Sequence, residues 1–261
     1  MCPRLLIVLY VFLAIPSFLL AQSQPASDPQ ALSYAAQSIA AMTGGSSISD
    51  VTLTGSVSWN AGADSGTATL QALGTGESRM DLVLTSGTRS EIRDAQTGAA
   101  IGQWINPDTS SGQFASQNCQ TDAVWFFLPL GSLAVSQNVV LLNIGQTTWN
   151  GTAVQHIQSY IFQSNWPAGV TPTAQQLSTM DFYLDASTLL PVAVTFNAHP
   201  DSDASTNLSF EVDFTNYQAV SGVQVPMHIQ RFQQGSLMVD LTLSGASFNS
   251  GLSLSNFTIS Q

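Results

Sequence analysis

The chain has 261 residues, of which 44% are hydrophobic, and it contains five Arg and sixteen acids but no Lys. A net charge of −11 sets nucleic acids and anionic lipid surfaces against it as partners. The hydrophobic content is too high for a disordered chain, and only 8% of residues are charged, so Ser, Thr, Asn and Gln carry most of the polarity.

Residues 1–21 read as a secretory signal peptide. Arg4 supplies the positive end, and Leu5 to Leu20 is an apolar stretch broken by Pro16 and Ser17. The stretch is shorter than the ~20 apolar residues of a spanning helix, and Ala21 is a plausible cleavage residue. Cleavage leaves residues 22–261, expected to form a single domain with four Arg and one Cys, Cys119. No Cys sits at the cleavage point, so no lipid anchor is expected. As the one Cys of residues 22–261, Cys119 cannot form an intramolecular disulfide there and reads as a small buried residue.

Residues 28–43 predict a helix. Asp28 or Ser27 caps it, Pro29 sits in the first turn and Gly44-Gly45 ends it. Leu32, Ala35, Ile39 and Met42 share a narrow apolar stripe that would lie on a sheet. Val51, Leu53, Val57 and Trp59 then alternate with Thr and Ser, the period of a half-buried strand. Asn60 to Gly66 is a turn, and strands follow at 67–73, 78–84, 88–94 and 100–105, separated by Gly-containing hairpin signals.

The middle changes character. Asn106 to Asn118 reads as a polar loop. Residues 122–130 (Asp-Ala-Val-Trp-Phe-Phe-Leu-Pro-Leu) are the most aromatic stretch of the chain. Asp122 could cap a helix that Pro129 kinks, or Pro129 could open a separate helix running through Val135. In either case Trp125, Phe126, Phe127 and Leu130 must be buried, or must cover something.

Strands resume at 147–149 and 153–162 around Asn150-Gly151, a strong two-residue hairpin signal. A short helix at 173–178 precedes a hairpin of 180–185 and 191–196. Alternation at Leu208, Phe210, Val212 and Phe214, and again at Leu237, Val239, Leu241 and Leu243, marks further strands. Residues 255–259 read as a short last one. The sum is an α+β, β-dominated chain of about eleven antiparallel strands with two or three helices.

No catalytic or metal centre stands out. There is no Gly-x-Ser-x-Gly elbow, and His156, His199 and His228 lie in or beside strands. No His pair has ligand spacing. The oxygen-rich run from Asp201 to Asn207 lacks the Gly and terminal acid of a calcium loop. Acid pairs such as Asp181/Asp185 and Glu211/Asp213 share the wet face of a strand rather than flanking a cleft. The expectation is a protein without enzymatic activity, metal or cofactor; an extracytoplasmic hydrolase, with a triad assembled across the fold, is the remaining alternative from another class.

Two C-terminal motifs carry a family resemblance. The first is Asp185, Thr188, Leu190 and Pro191; the second is Tyr217, Val220, Gly222 and Pro226, followed by Gly235 and a late Phe257. Together with the leader and the leading helix, they resemble the outer-membrane lipoprotein-sorting (LolA-like) superfamily, mainly over residues 180–261. The resemblance implies a half-open antiparallel barrel whose concave side is covered by helices. It also implies a periplasmic carrier that holds acyl chains of a lipid or lipidated protein in an apolar cavity; the chain itself is expected to be a monomer. The candidate cavity or lid residues are Trp125, Phe126, Phe127, Leu130, Leu32 and Ile39. If helices fill the concave face completely, the alternative is an envelope scaffold or protein-interaction domain. The chain differs from such carriers in being nearly without cations.

Overall fold

The computed structural model describes residues 23, 25–94, 100–131, 138–167, 169–200 and 202–259. The leader at 1–21 lies outside the described residues except in sequence. Among the described residues, thirteen antiparallel strands form one open sheet in the order β6-β5-β4-β3-β2-β1-β13-β12-β11-β10-β9-β8-β7. The first half runs through β1 (Asp50–Trp59), β2 (Asp64–Leu73), β3 (Ser78–Leu84), β4 (Gly87–Asp94), β5 (Ile101–Ile105) and β6 (Ser111–Phe114). The second half is β7 (Val139–Trp149), β8 (Thr152–Ile161), β9 (Met180–Asp185), β10 (Pro191–Ala198), β11 (Leu208–Val220), β12 (Val223–Gln233) and β13 (Ser236–Phe248). Each strand pairs with its chain neighbour within a half, and β1 joins the halves by pairing with β13. The sheet is therefore a half-barrel with free edges at β6 and β7.

Period-2 patterning assigns one face to the core. Leu53, Val57, Leu70, Leu82, Phe182, Val194, Val212, Ile229 and Leu241 are all buried in one cluster. Helix α1 (Pro29–Thr43) covers part of that face. Asp28 caps it by accepting from the Gln30 and Ala31 amides. Gly44 closes it at φ 61°, where a Cβ would meet the Gly222 carbonyl oxygen at 2.7 Å, so both the left-handed conformation and the close approach require Gly. The Asn150-Gly151 turn has both residues at positive φ, 47° and 84°, as a twisted two-residue hairpin demands.

The structure departs from the sequence expectation at several points. The strand count is thirteen rather than about eleven. The stretch read as a polar loop, 106–118, contains β6 and the start of helix α2 (Ser116–Asp122). Asp122 does not cap a helix but ends α2. Pro129 lies inside a short 3-10 turn, Leu128–Leu130, and the proposed continuation to Val135 falls on residues outside the description. The expected last strand at 255–259 is instead a 3-10 turn, Leu254–Phe257, closed by a reciprocal Ser253–Asn256 capping box. The third helix, α3, spans Thr171–Ser178. The buried stripe of α1 is Ala31, Ala35, Ser38 and Met42. It is rotated about one position from the expected one, so that Leu32 is 37% exposed while Ile39 packs at the edge of the core.

Candidate functional site: a recess beside an aromatic plug

A recess of about 530 Å³ opens on the helix-covered side of the sheet. Its apolar wall is Ala123, Val124 and Leu130 from the segment after α2, facing Val139 on β7, Ile161 on β8 and Met180 on β9. The Gly74-Thr75-Gly76 turn between β2 and β3 forms the opposite rim. The lining also carries Gln120, Asn138, Tyr160 and Gln163 and the buried Thr121, Ser159 and Ser178, so amides, hydroxyls and a phenol accompany the apolar wall. This volume lies within the range of small-molecule sites.

The aromatic segment sits against that recess as a plug. Trp125, Phe126, Phe127 and Leu128 are each at most 1% exposed. Trp125 and Phe126 meet edge to face at 5.6 Å and 88°, and Phe127 contacts Phe248 of β13 at 5.7 Å. Of the six residues that the sequence put forward, Leu130 lines the recess. Trp125, Phe126 and Phe127 lie in the core behind it, and Leu32 and Ile39 are elsewhere on α1. The strand residues Val139, Ile161 and Met180 were missed as lining. They are ordinary strand positions, and only the placement of the plug makes them a wall.

A buried ionic cluster anchors the plug. Asp122 Oδ1 accepts from Arg93 Nε at 2.9 Å, and its Oδ2 accepts from Arg93 Nη2 at 3.0 Å and Arg231 Nη2 at 2.8 Å. Glu91 completes the set, facing Arg93 at 3.4 Å and Arg89 at 2.7 Å. Burial alone would push the Glu91 carboxyl up, but the charges of Arg93, Arg231 and Arg89 hold it below its usual range. Burial likewise pulls the Arg231 guanidinium down, aided by the like charge of Arg93. The Arg231 guanidinium lies over the rings of Trp125 and Phe210, at 4.9 and 4.7 Å, and Arg93 lies over Phe114 at 4.2 Å. Three of the four arginines beyond the leader thus meet one carboxylate cluster, and two of them, Arg93 and Arg231, hold Asp122. Alternation places Glu91 and Arg93 on one face of β4, but no sequence signal connects them to Asp122 or Arg231.

The opposite, wet face of the sheet carries a second set of titratable residues. His156 Nε2 contacts Asp181 Oδ1 at 2.7 Å, and its ring stacks on Tyr183, which contacts Trp149 at 4.2 Å. Trp149 Nε1 reaches across from the edge strand to donate to Asp213 on β11 at 3.1 Å. Burial pushes the carboxyls of Glu211 and Asp213 up, and the charge of Asp213 adds to the effect on Glu211. Thr215, His228 and Asp240 form a hydroxyl–imidazole–carboxylate chain at 3.1 and 2.8 Å. The three sit on adjacent paired strands, with Thr215 exposed and directly opposite His228. Backbone amides in such a ladder pair with neighbouring strands. The three side chains form a cross-strand polar ladder. A broad depression on this face, of about 650 Å³, is lined by Ser56, Ser58, Thr67 and Thr242. Among the described residues there is no group of three His, Cys, Asp or Glu side chains arranged to hold a metal. None of their helices is long and apolar enough to cross a membrane.

No protein-family model and no curated protein matches the chain by sequence. Solved structures do match the fold. A protein from Vibrio parahaemolyticus described as an outer-membrane lipoprotein-sorting domain superposes with a TM-score of 0.53 at 14% identity, over 87% of this chain and 96% of that one. A LolA superfamily protein from Nitrosomonas europaea superposes with a TM-score of 0.52 at 11% identity, over 88% and 97%.

Proposed function

On this fold, which is that of the LolA-like superfamily, we propose that the chain is an exported carrier for a lipid or a lipidated protein. It acts in the periplasm after cleavage near Ala21, as a monomer and with no chemistry of its own. The observation that carries the reading is the recess of about 530 Å³ between the plug and strands β7–β9, with an apolar wall accompanied by polar side chains. Each methylene moved from water into such a space contributes ~0.8 kcal/mol, so an acyl chain is retained without polar recognition of the chain itself. The neighbour described as a lipoprotein-sorting domain supports the same reading.

The test is native mass spectrometry, with organic extraction, of the mature chain purified from an envelope fraction. Filling the recess with Ala123→Phe, in protein that keeps its unfolding temperature, should remove a co-purifying lipid or acylated peptide. Clean apo-protein that takes up no added lipid contradicts the carrier.

A second reading has its own observation. The run from Trp125 to Leu128 fills much of the covered face with the chain's own side chains. That is what a scaffold or protein-interaction domain would show, with apolar side chains such as Ile144 on edge strand β7, 51% exposed, as its contact surface.

A further inference from the structure

The carrier reading leaves open what kind of headgroup the cargo has, and the distribution of charge bears on it. From that distribution we infer that the recess takes an uncharged single-chain amphiphile, one whose head offers hydroxyl or amide groups, and that it discriminates against anionic heads. This rests on the carrier reading above.

Two observations converge. No described Asp, Glu, Arg or His lines the recess; its polar groups are the amides of Gln120, Asn138 and Gln163, the Tyr160 phenol, hydroxyls such as those of Ser159 and Ser178, and the Cys119 thiol. The second observation concerns the cations. Beyond the leader there are four arginines and no Lys, and every one of the four is committed to carboxylates. Arg79 pairs with Asp81, Arg89 with Glu91, Arg93 with Asp122 and Glu91, and Arg231 with Asp122. Asp122, which lies in sequence between the lining residues Thr121 and Ala123, holds Arg93 and Arg231, and both guanidiniums are buried beneath the plug rather than in the lining.

An anionic head seated at the rim would lose part of its hydration and find no cation to replace it, and unpaired charge at low dielectric is costly. The surplus of acids adds long-range repulsion. A cationic head would be drawn by the overall charge but would meet no carboxylate in the lining. An uncharged polyol or amide head can instead exchange hydrogen bonds with water for hydrogen bonds with Gln, Asn and Tyr side chains at little cost.

The experiment uses the mature chain and three probes with the same oleoyl chain: monooleoylglycerol, lyso-oleoylphosphatidylglycerol and oleylamine. Affinities are compared at about 1 M salt, where the screening length is about 3 Å and net charge drops out. The expected result is that monooleoylglycerol binds about tenfold or more tighter than either charged probe. Gln163→Arg, which puts a cation on the rim, should narrow or reverse the gap for the anionic probe. Equal affinities, or a preference for a charged head, overturn the headgroup inference while leaving the carrier standing. Binding of none of the three overturns both.

Discussion

Asp122 and Arg231 lie 109 positions apart in sequence, and Arg231 donates to the Asp122 carboxylate at 2.8 Å inside the core. The pair fixes the end of α2, and therefore the start of the aromatic plug, against strand β12. Arg93 shares the same carboxylate, so one acid holds two buried cations.

Removing that acid should be severe. Asp122→Asn keeps the shape but leaves Arg93 and Arg231 facing each other with only Glu91 between them. The expected loss is about 3–5 kcal/mol, measured by denaturant unfolding. Adding Arg231→Met to Asp122→Asn removes the surplus cation, so the double variant should recover part of the loss. A double variant that loses as much as the two single changes together would contradict the coupling.

The wet face should respond to pH in the opposite sense to most acids. Glu211 and Asp213 have raised carboxyl pKa values, from burial and, at Glu211, from the charge of Asp213. The folded state then holds its protons to higher pH than the unfolded chain, so stability falls as pH rises from the unfolded values, ~4, through the folded ones. Glu211→Gln with Asp213→Asn should therefore raise the unfolding temperature at pH 7, with the gain disappearing below about pH 4. An unfolding temperature that stays lower than wild type at pH 7 would contradict this.

Asp50 should behave in the usual sense. Burial would push its carboxyl up, but hydrogen bonds from the Ser250 amide and hydroxyl and the Gly251 amide outweigh burial and bring it down. The stabilisation is present above the unfolded pKa, near 3.9, and is lost as pH falls through the folded value. Asp50→Asn should cost about 1–3 kcal/mol at pH 7, and the difference from wild type should close in acid. Scanning unfolding temperature from pH 7 to about 2 reads both.

Much of this fold was legible in the sequence because a half-buried sheet writes its period directly. The alternation at Leu208 to Phe214 and the Asn150-Gly151 turn led to the right elements. The Asp185–Pro191 and Tyr217–Pro226 motifs proved to be parts of one structure, since the Tyr217 hydroxyl donates to the Pro191 carbonyl at 2.8 Å. What stayed hidden depends on contacts distant in sequence. β6 is only four residues long, Ser-Gly-Gln-Phe, with no apolar alternation to reveal it. Asp122 looked like a cap because Asp commonly caps helices, whereas its role is set by arginines on β4 and β12. The recess is a property of where the plug ends, so its lining residues carry no signal of their own.

The motif-joining hydrogen bond allows a smaller test. Burial pushes the Tyr217 phenol well above its ordinary pKa, so it remains a donor throughout the working range. Tyr217→Phe removes the donor and leaves the Pro191 carbonyl short of one partner. The expected loss is about 1–2 kcal/mol in denaturant unfolding; an unchanged midpoint would mean that water serves the carbonyl equally well.

The most direct measurement of the carrier proposal is uptake of a single-chain amphiphile by the mature protein, followed by native mass spectrometry, in wild type and in Ala123→Phe. The proposal predicts one bound amphiphile on the wild-type chain and none on the filled variant, with both proteins equally stable. Equal uptake by both, or uptake by neither, would contradict it.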